Sequence, residues 1–572
     1  MNAVDYVVLL ATLLGIAGYG VWRTRGQRDL ATYVKGSAQT NWLTIGVSVM
    51  ATQASAVTFL STPGQGYQDG LGFIQNYFGA PLALVIICIF FLPVFRCLNV
   101  YTAYEYLGQR FDRKTRLLGA GLFLIQRGIG AGLTIYAPAI VLSSVFNWSL
   151  PLTIIASGLV VIAYTVSGGS EAVSLTQKYQ FVVIMIGMVA AFVVVLMRLP
   201  AQLHFREAMV VAGGMHKLKA VDFSPSLQTR YTLWTGLIGG LFLQLSYFGS
   251  DQSQVQRYLG GRSLRESRLG LMFNAVFKIP MQFFILLLGA LIFVFYQFER
   301  PPVYFNRPAW TRAVEGDRGP ELRRIEAEFN SVEVAKGVAI QEWLDAARKG
   351  DKSAAEAAHG TAIAADTRAE ALRTQTQRVL TEQNSHTPST DADYVFITFI
   401  LDHLPHGLIG LLVTVFFAAT LNSKAAELNA LASSTTVDLY RHLIRSTATD
   451  EHCVTASRWF TALWGFAAIG IALSVTLVEN LIQFANIVAS IFYPVVLGLF
   501  LVAFFLKKIG GTAVFWGAIA AQILVCALYF SRNLYPSLSV AYLWYNLIGC
   551  VACVLLAAVF QSLFGSIRES PA

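Results

Sequence analysis

Charge is what this chain has least of: Asp, Glu, Lys and Arg make up 13% of its 572 residues, against 55% hydrophobic ones. Soluble domains carry about 25% charge, so a water-soluble fold is excluded, in line with a mean hydropathy of +0.55. Cysteine is sparse too. The six cysteines, Cys88, Cys97, Cys453, Cys526, Cys550 and Cys553, lie in apolar runs or in short basic loops, and no disulfide framework is implied. The CxxC formed by Cys550 and Cys553 sits mid-span with no second ligand pair and no nearby His, which argues against a zinc or redox centre. No buried His, Cys and acid constellation has nucleophile or metal spacing, so an enzyme is not expected. Nor does the net charge of +9 point to nucleic acid, because the cations gather in short loops between apolar runs, where they set topology.

What the chain does have is apolar windows of about 20 residues, the length that crosses a bilayer. They fall at roughly 4–22, 41–62, 70–95, 117–146, 150–167, 179–197, 231–254, 269–297, 405–437, 455–477, 481–506, 512–531 and 541–563, which makes about thirteen spans. Asp5 and the absence of a basic leader, with Arg23, Arg25 and Arg28 directly after the first run, mark that run as a retained span. Basic clusters at Arg23 to Lys35, Arg96 to Arg116, Arg257 to Arg268, Arg441 to Arg445 and Lys507-Lys508 occupy every second loop. The positive-inside rule then places the amino end outside and the carboxyl end in the cytoplasm of a cell membrane, the inner one if the source is Gram-negative. The loop around Arg206, Lys217 and Lys219 runs against the rule but is long enough to be translocated with its charge.

Composition divides the chain at residues 299–392, where Glu, Arg, Lys, Ala and Gln replace Phe, Leu and Val. Residues 1–298 and 393–572 read as membrane core, and 299–392 as a soluble helical insertion on the external face. Its middle, Pro320 to Asn384, is rich in helix formers and broken at Gly350-Asp351, which predicts a helical hairpin. The bland reading is a solvated appendage outside the core; a lid or a contact surface for a partner is the alternative.

Two spans are interrupted by small and polar residues that lipid would not tolerate. The second contains Met50-Ala-Thr-Gln-Ala-Ser-Ala-Val-Thr-Phe59 followed by Ser61-Thr-Pro-Gly-Gln-Gly-Tyr67, and the seventh contains Ser246-Tyr-Phe-Gly-Ser-Asp-Gln-Ser-Gln-Val-Gln-Arg257. Irregular backbone at membrane depth is allowed where it lines a cavity, because each unpaired peptide group costs several kcal/mol in hydrocarbon. Broken helices five spans apart point to an inverted-repeat transporter with its site at the midplane.

Further segments stand out: Ser48-Val-Met-Ala-Thr-Gln-Ala-Ser with Gly66-Tyr67, Tyr101-Thr-Ala-Tyr-Glu-Tyr-Leu-Gly-Gln-Arg-Phe111, Gly168-Gly169, Gln254-Val-Gln-Arg-Tyr-Leu259, and Leu428-Asn-Ala-Leu-Ala followed by Val437-Asp-Leu-Tyr440. In this order they resemble the sodium/solute symporter family, which includes sodium/galactose, sodium/proline and sodium/sialic-acid transporters. The resemblance implies an all-α LeuT-like core of five plus five inverted helices, one leading span, two trailing ones, and sodium-coupled symport of a small organic solute by alternating access. It implies no cofactor, with sodium as the coupling ion held by backbone carbonyls of Ala51, Ala54 and Ala419 and side chains of Asn422 and Ser423. Asn422 departs from the hydroxyl of relatives, and the neighbouring Lys424 is unusual inside a span, so a proton is the alternative coupling ion. The positions of a second sodium site hold Gln177, Ala425 and Ala426, and that site is not expected.

For the solute, the resemblance indicates Gln53, Ser55 and Thr58 on the first broken helix and Asp251 on the second, with Phe73, Tyr77, Lys278 and Asn486 touching the solute or gating the site. A hexose is disfavoured, since Tyr77 and Thr58 stand where sugar carriers have Glu and Gln. Arg127 lies well inside its span, where a charge must be paired or hydrated, and its guanidinium suits a carboxylate. The sialic-acid carriers are similar in using an arginine on this helix, which implies a carboxylate or other anion as solute. A structural arginine paired within the bundle is the competing reading. Glu427 and Lys424, three residues apart on one helix face, are expected to pair, as is Glu105 with Arg110 and Arg113. His403 and His406 read as interfacial, not as metal ligands. A membrane sensor of the same fold is the other functional class compatible with the sequence.

Overall fold

The computed structural model describes residues 2–11, 15, 41–97, 102–200, 203–384, 388, 390–475, 479–532, 534–535 and 539–564, with the side chains of 167–179 and 422 outside the description. The basic loop Arg23 to Lys35, Gly168-Gly169, Gln177 and the Asn422 side chain therefore lie outside the described residues.

The described chain is helical throughout, and nine of its helical stretches are long and apolar enough to cross a bilayer. The helices used below are α1 (Trp42–Gln53), α2 (Ala56–Asp69), α3 (Arg113–Phe146), α4 (Leu150–Arg198), α5 (Gly240–Ser250), α6 (Gln252–Leu259), α7 (Leu264–Phe295), α8 (Gly319–Lys349), α9 (Lys352–Gln383), α10 (Ala392–His403), α11 (Leu408–Ser434), α12 (Asp450–Ser474), α13 (Leu481–Phe505), α14 (Gly511–Ser531) and α15 (Tyr542–Phe564). They form two packed groups. In one, α7 lies against α1 and α2 and touches α6; in the other, α3, α4, α11 and α12 pack on one another. Helix α13 bridges them, contacting α2 of the first group and α3 of the second, as well as α5.

Helix starts follow local chemistry. Asn41 accepts from the Thr44 amide at 2.9 Å at the head of α1, and Asp112 from the Thr115 amide at 2.8 Å at the head of α3. The buried Asp5 accepts from the Gly407 and Gly410 amides at 2.6 and 3.1 Å, which ties the first helical segment to the N-terminus of α11. Glycine permits close crossings: a Cβ on Gly289 of α7 would lie 2.0 Å from the Pro63 carbonyl oxygen of α2.

Both breaks fall where the polar runs lie. Between α1 and α2 the backbone leaves the helix at Ala54 and Ser55, and between α5 and α6 at Asp251, whose φ and ψ are −79° and 118°. The apolar spans expected at 150–167 and 179–197 appear as two stretches of one continuous 49-residue helix, α4. At about 1.5 Å per residue it is much longer than a bilayer's hydrocarbon, and its apolar stretches are Leu150–Val166 and Gln180–Arg198.

The insertion forms the hairpin its sequence indicates. Gly350 ends α8 in the left-handed region at φ 76° and Asp351 caps α9 through the Ala354 amide at 3.0 Å. Its base has its own core of Val303, Tyr304, Leu322, Ile325, Phe329, Leu372 and Leu380. It is not merely an appendage: Ala339, Ile340, Trp343, Leu344 and Ala362 join the main hydrophobic core. The apolar stripe of α8 docks because Trp343 stacks on His359 with centroids 4.4 Å apart, His359 meets the Gly214 carbonyl at 3.1 Å, and Arg348 bonds Glu207 at 2.8 Å. Overall composition dilutes such a stripe, which is why the sequence reading missed it.

Candidate functional site

A cavity of about 130 Å³ lies between the broken helices and α3, α11 and α13. From α1 and α2 it is lined by Thr52, Gln53, Ser55 and Thr58, from α3 by Gln126, Arg127 and Thr134, from α5 by Gln244 and Tyr247, from α11 by Ser423 and Glu427, and from α13 by Asn486 and Tyr493, with Tyr77 closing one side. Six of the nine expected solute residues thus share one cavity: Gln53, Ser55, Thr58, Tyr77, Arg127 and Asn486. Phe73, Lys278 and Asp251 stand one layer back. Phe73 packs edge-on against Tyr77 at 5.8 Å, and the Lys278 ammonium lies 4.7 Å from the Tyr77 ring centroid, so both act on the cavity through Tyr77.

Arg127 is the centre of a buried ion cluster. Its Nη2 donates to Asp251 and, at 2.8 Å, to the Ser253 hydroxyl; its Nη1 donates to Glu427 at 3.2 Å. Lys424 donates to the same Glu427 at 2.5 Å and to the Ala131 carbonyl at 2.8 Å, and Thr134 donates to Glu427 at 3.1 Å. The Tyr493 hydroxyl donates to Asp251, and the Tyr247 ring faces the guanidinium at 5.5 Å. The expected Lys424–Glu427 pair is present, while Glu105 pairs with Arg116 at 3.8 Å instead of Arg110 or Arg113, because Arg116 lies on the facing turn of α3. Two cations and two carboxylates balance, as burial demands, since an unpaired buried charge costs several kcal/mol. The pairing reading of Arg127 therefore holds in this state of the protein, and it coexists with a place on the cavity wall.

Several cavity atoms are buried and without a hydrogen-bond partner among the described residues: Gln53 Oε1, Gln126 Oε1, Gln244 Oε1, Arg127 Nε, Ser423 Oγ and Asn486 Nδ2. Native proteins seldom leave such groups bare, and their convergence marks a place for a polar ligand. Ala51, Ala54, Ala419 and Ser423 are all buried, and α1 packs on α11. The last turn of α1 has carbonyls that no following helical amide satisfies, and Ala419 and Ser423, four apart, share one face of α11. The set is all oxygen and suits a hard monovalent cation. No cluster of three or more His, Cys, Asp or Glu with metal-site geometry occurs among the described residues.

Sequence reading passed over Tyr247, Gln126, Gln244, Ser253 and Tyr493 as site residues. Tyr247 and Ser253 lie inside the broken seventh span and Gln126 adjoins Arg127, so position alone could have flagged them. Tyr493 has a weaker signal, its place beside Pro494 within a span.

The model of the family described as "Sodium:solute symporter family" matches residues 33–309 and 374–521. The human sodium/iodide cotransporter is 33% identical over 300 residues, 52% of this chain and 46% of that protein, so the chain spans about half the length of that relative. Sodium-coupled monocarboxylate transporter 1 of Xenopus laevis is 27% identical over 87% of this chain and 67% of its own. The sodium/sialic acid symporter of Proteus mirabilis is 24% identical over 99% of this chain and 96% of its own. A solved structure of a Na+-coupled sialic acid symporter, substrate-bound and outward-open, superposes over 100% of both chains with a TM-score of 0.74 at 22% identity. That likeness establishes the fold as LeuT-like.

Proposed function

The chain belongs to the sodium:solute symporter family, and from that premise we propose that it couples entry of one sodium ion to uptake of a small organic anion by alternating access. The observation that carries the reading is the polar cavity between the two broken helices, walled by Arg127 and Ser423; in this reading Ser423 and the buried carbonyls of Ala51, Ala54 and Ala419 hold the sodium. The solute's anionic group faces Arg127, and Gln53, Ser55, Thr58 and Asn486 supply orienting hydrogen bonds. Tyr77, backed by Phe73 and Lys278, closes the side. A volume of about 130 Å³ suits a short carboxylate better than a nonulosonic acid. The relatives named for iodide, monocarboxylates and sialic acid all carry anions, which supports the same class here.

Charge counting supports the coupling. Within the Arg127 cluster, Arg127 and Lys424 cancel Asp251 and Glu427; a bound sodium adds one positive charge and a monoanion removes it, so joint loading leaves the net charge of the site unchanged. Burying the anion without sodium would leave an uncompensated charge at a cost of several kcal/mol. By linkage, sodium then tightens the anion and the anion tightens sodium equally. The insertion face is the external one in this reading, with the amino end outside and the carboxyl end in the cytoplasm. Accumulation of labelled carboxylates in vesicles under a sodium gradient tests the proposal. Equal uptake in sodium and choline, or binding without accumulation as in a sensor, would overturn it.

A further inference from the structure

Arg127 presents a problem for an anion carrier, because both of its terminal nitrogens already hold a carboxylate and only Nε is without a partner among the described residues. Glu427, on Nη1, is shared with Lys424 in the same helix group, and its charge is balanced there. Asp251, on Nη2, is different. It sits at the break between α5 and α6, in no helix of its own, and reaches across to Arg127 on α3. Its other contacts are to neighbours able to serve another anion: the Tyr493 hydroxyl on Oδ2, and the Ser253 amide and hydroxyl on Oδ1 at 2.8 and 2.5 Å. Arg127, Ser253 and Tyr493 thus present a three-sided donor nest to one carboxylate oxygen pair, beside the cavity, and Asp251 fills it from within.

We infer that Asp251 is an internal stand-in for the solute's anionic group, so that solute carboxylate and Asp251 compete for Arg127 and the outcome sets specificity. This rests on the anion-symport reading and adds a device to it. Without solute, the Asp251 carboxylate neutralises Arg127 and joins the α5/α6 break to α3. When a solute carboxylate takes the guanidinium, Asp251 is freed with its charge, which the proposed sodium ion compensates. A neutral solute cannot displace Asp251, because it would leave two buried opposite charges separated and unpaired. The internal competitor lowers apparent affinity by the fraction of Arg127 left free, which keeps the site selective for anions and loose enough to release them.

The test compares lactate with its neutral analogue lactamide, read as thermal shift of the purified full chain in sodium and in potassium. Wild type should be stabilised by lactate in sodium only; if lactate and other small carboxylates have no effect in either salt, the anion-symport reading itself fails. Asp251→Asn removes the competitor, and lactate should then bind roughly tenfold tighter and do so in potassium as well, with lactamide unchanged. Weaker or unaltered lactate binding that still needs sodium would overturn the inference while leaving the symport reading intact. Where Asp251→Asn melts too low to titrate directly, purification in lactate supplies the missing carboxylate. Rescue of the melting temperature by lactate but not by lactamide is the expected result, and rescue by neither overturns the inference.

Discussion

At the first break, between Gln53 and Ala56, the chain offers the cavity backbone carbonyls and the side chains of Gln53, Ser55 and Thr58, but no formal charge. At the second break it offers Asp251, a full carboxylate held by Arg127, Ser253 and Tyr493. The same device, an unwound turn at membrane depth, is thus used twice with different chemistry. An uncharged break leaves oxygens whose partner must come from outside the protein, a cation, while a charged break arrives with its partner built in. In the proposed symport, selectivity for sodium lies in geometry at α1 and α11, and selectivity for the solute in the competition proposed at α3 and α6.

The largest expected effects come from Arg127, where the charged break can be undone. Arg127→Gln leaves Asp251 without its counter-ion and should cost about 3–5 kcal/mol of stability, seen as a collapsed melting temperature that added carboxylates do not restore. Arg127→Lys keeps the charge but not the fork that spans Asp251 and Glu427. It should retain most of the thermal stability and lose lactate affinity by roughly a hundredfold, about 2.7 kcal/mol. A Lys variant with wild-type ligand ranking would reduce Arg127 to a structural role.

Ser423→Ala sharpens the comparison from the other side. Loss of one oxygen from the uncharged site should raise the sodium concentration for half-maximal stabilisation by about tenfold, or 1.4 kcal/mol. Lactate affinity at saturating sodium should stay near wild type, so a shift of both together would mean that the two breaks are not separate sites.

These breaks were legible in the sequence because the signal is local: Gln, Ser, Thr, Gly and Asp crowd into a few residues of an otherwise apolar span. The Lys424–Glu427 pair was legible for the same reason, being three apart on one helix. Pairing across the fold was not. Arg127 lies 124 residues from Asp251 and 300 from Glu427, and Tyr493 lies 242 from Asp251, so the sequence marked Arg127 and Asp251 as site residues without joining them. Phe73 and Lys278 were placed at the site by the family resemblance, and each stands behind the Tyr77 ring. The docking of the hairpin was hidden differently: a few apolar residues at helical spacing, Ile340, Trp343 and Leu344 among them, are lost in a polar average.

The smallest effect is expected from the region farthest from either break. Deleting Pro320 to Asn384 with a short linker removes the hairpin and uncovers the Gly214 loop, so the melting temperature should fall by a few degrees, about 1 kcal/mol or somewhat more. Sodium-driven uptake should survive. Loss of uptake in a protein that remains folded would move the insertion from scaffold to lid.

The central claim is that one sodium and one monoanion cross together through a site whose net charge is the same empty and fully loaded. Proteoliposomes with a fixed sodium gradient, given labelled lactate while a potassium gradient and valinomycin set the membrane voltage, test it directly. Uptake that requires sodium yet reaches the same plateau at zero voltage and at about −100 mV, where a moving charge would gain roughly 2.3 kcal/mol, is the predicted result; a plateau that rises with voltage, or persists with choline in place of sodium, would contradict the account.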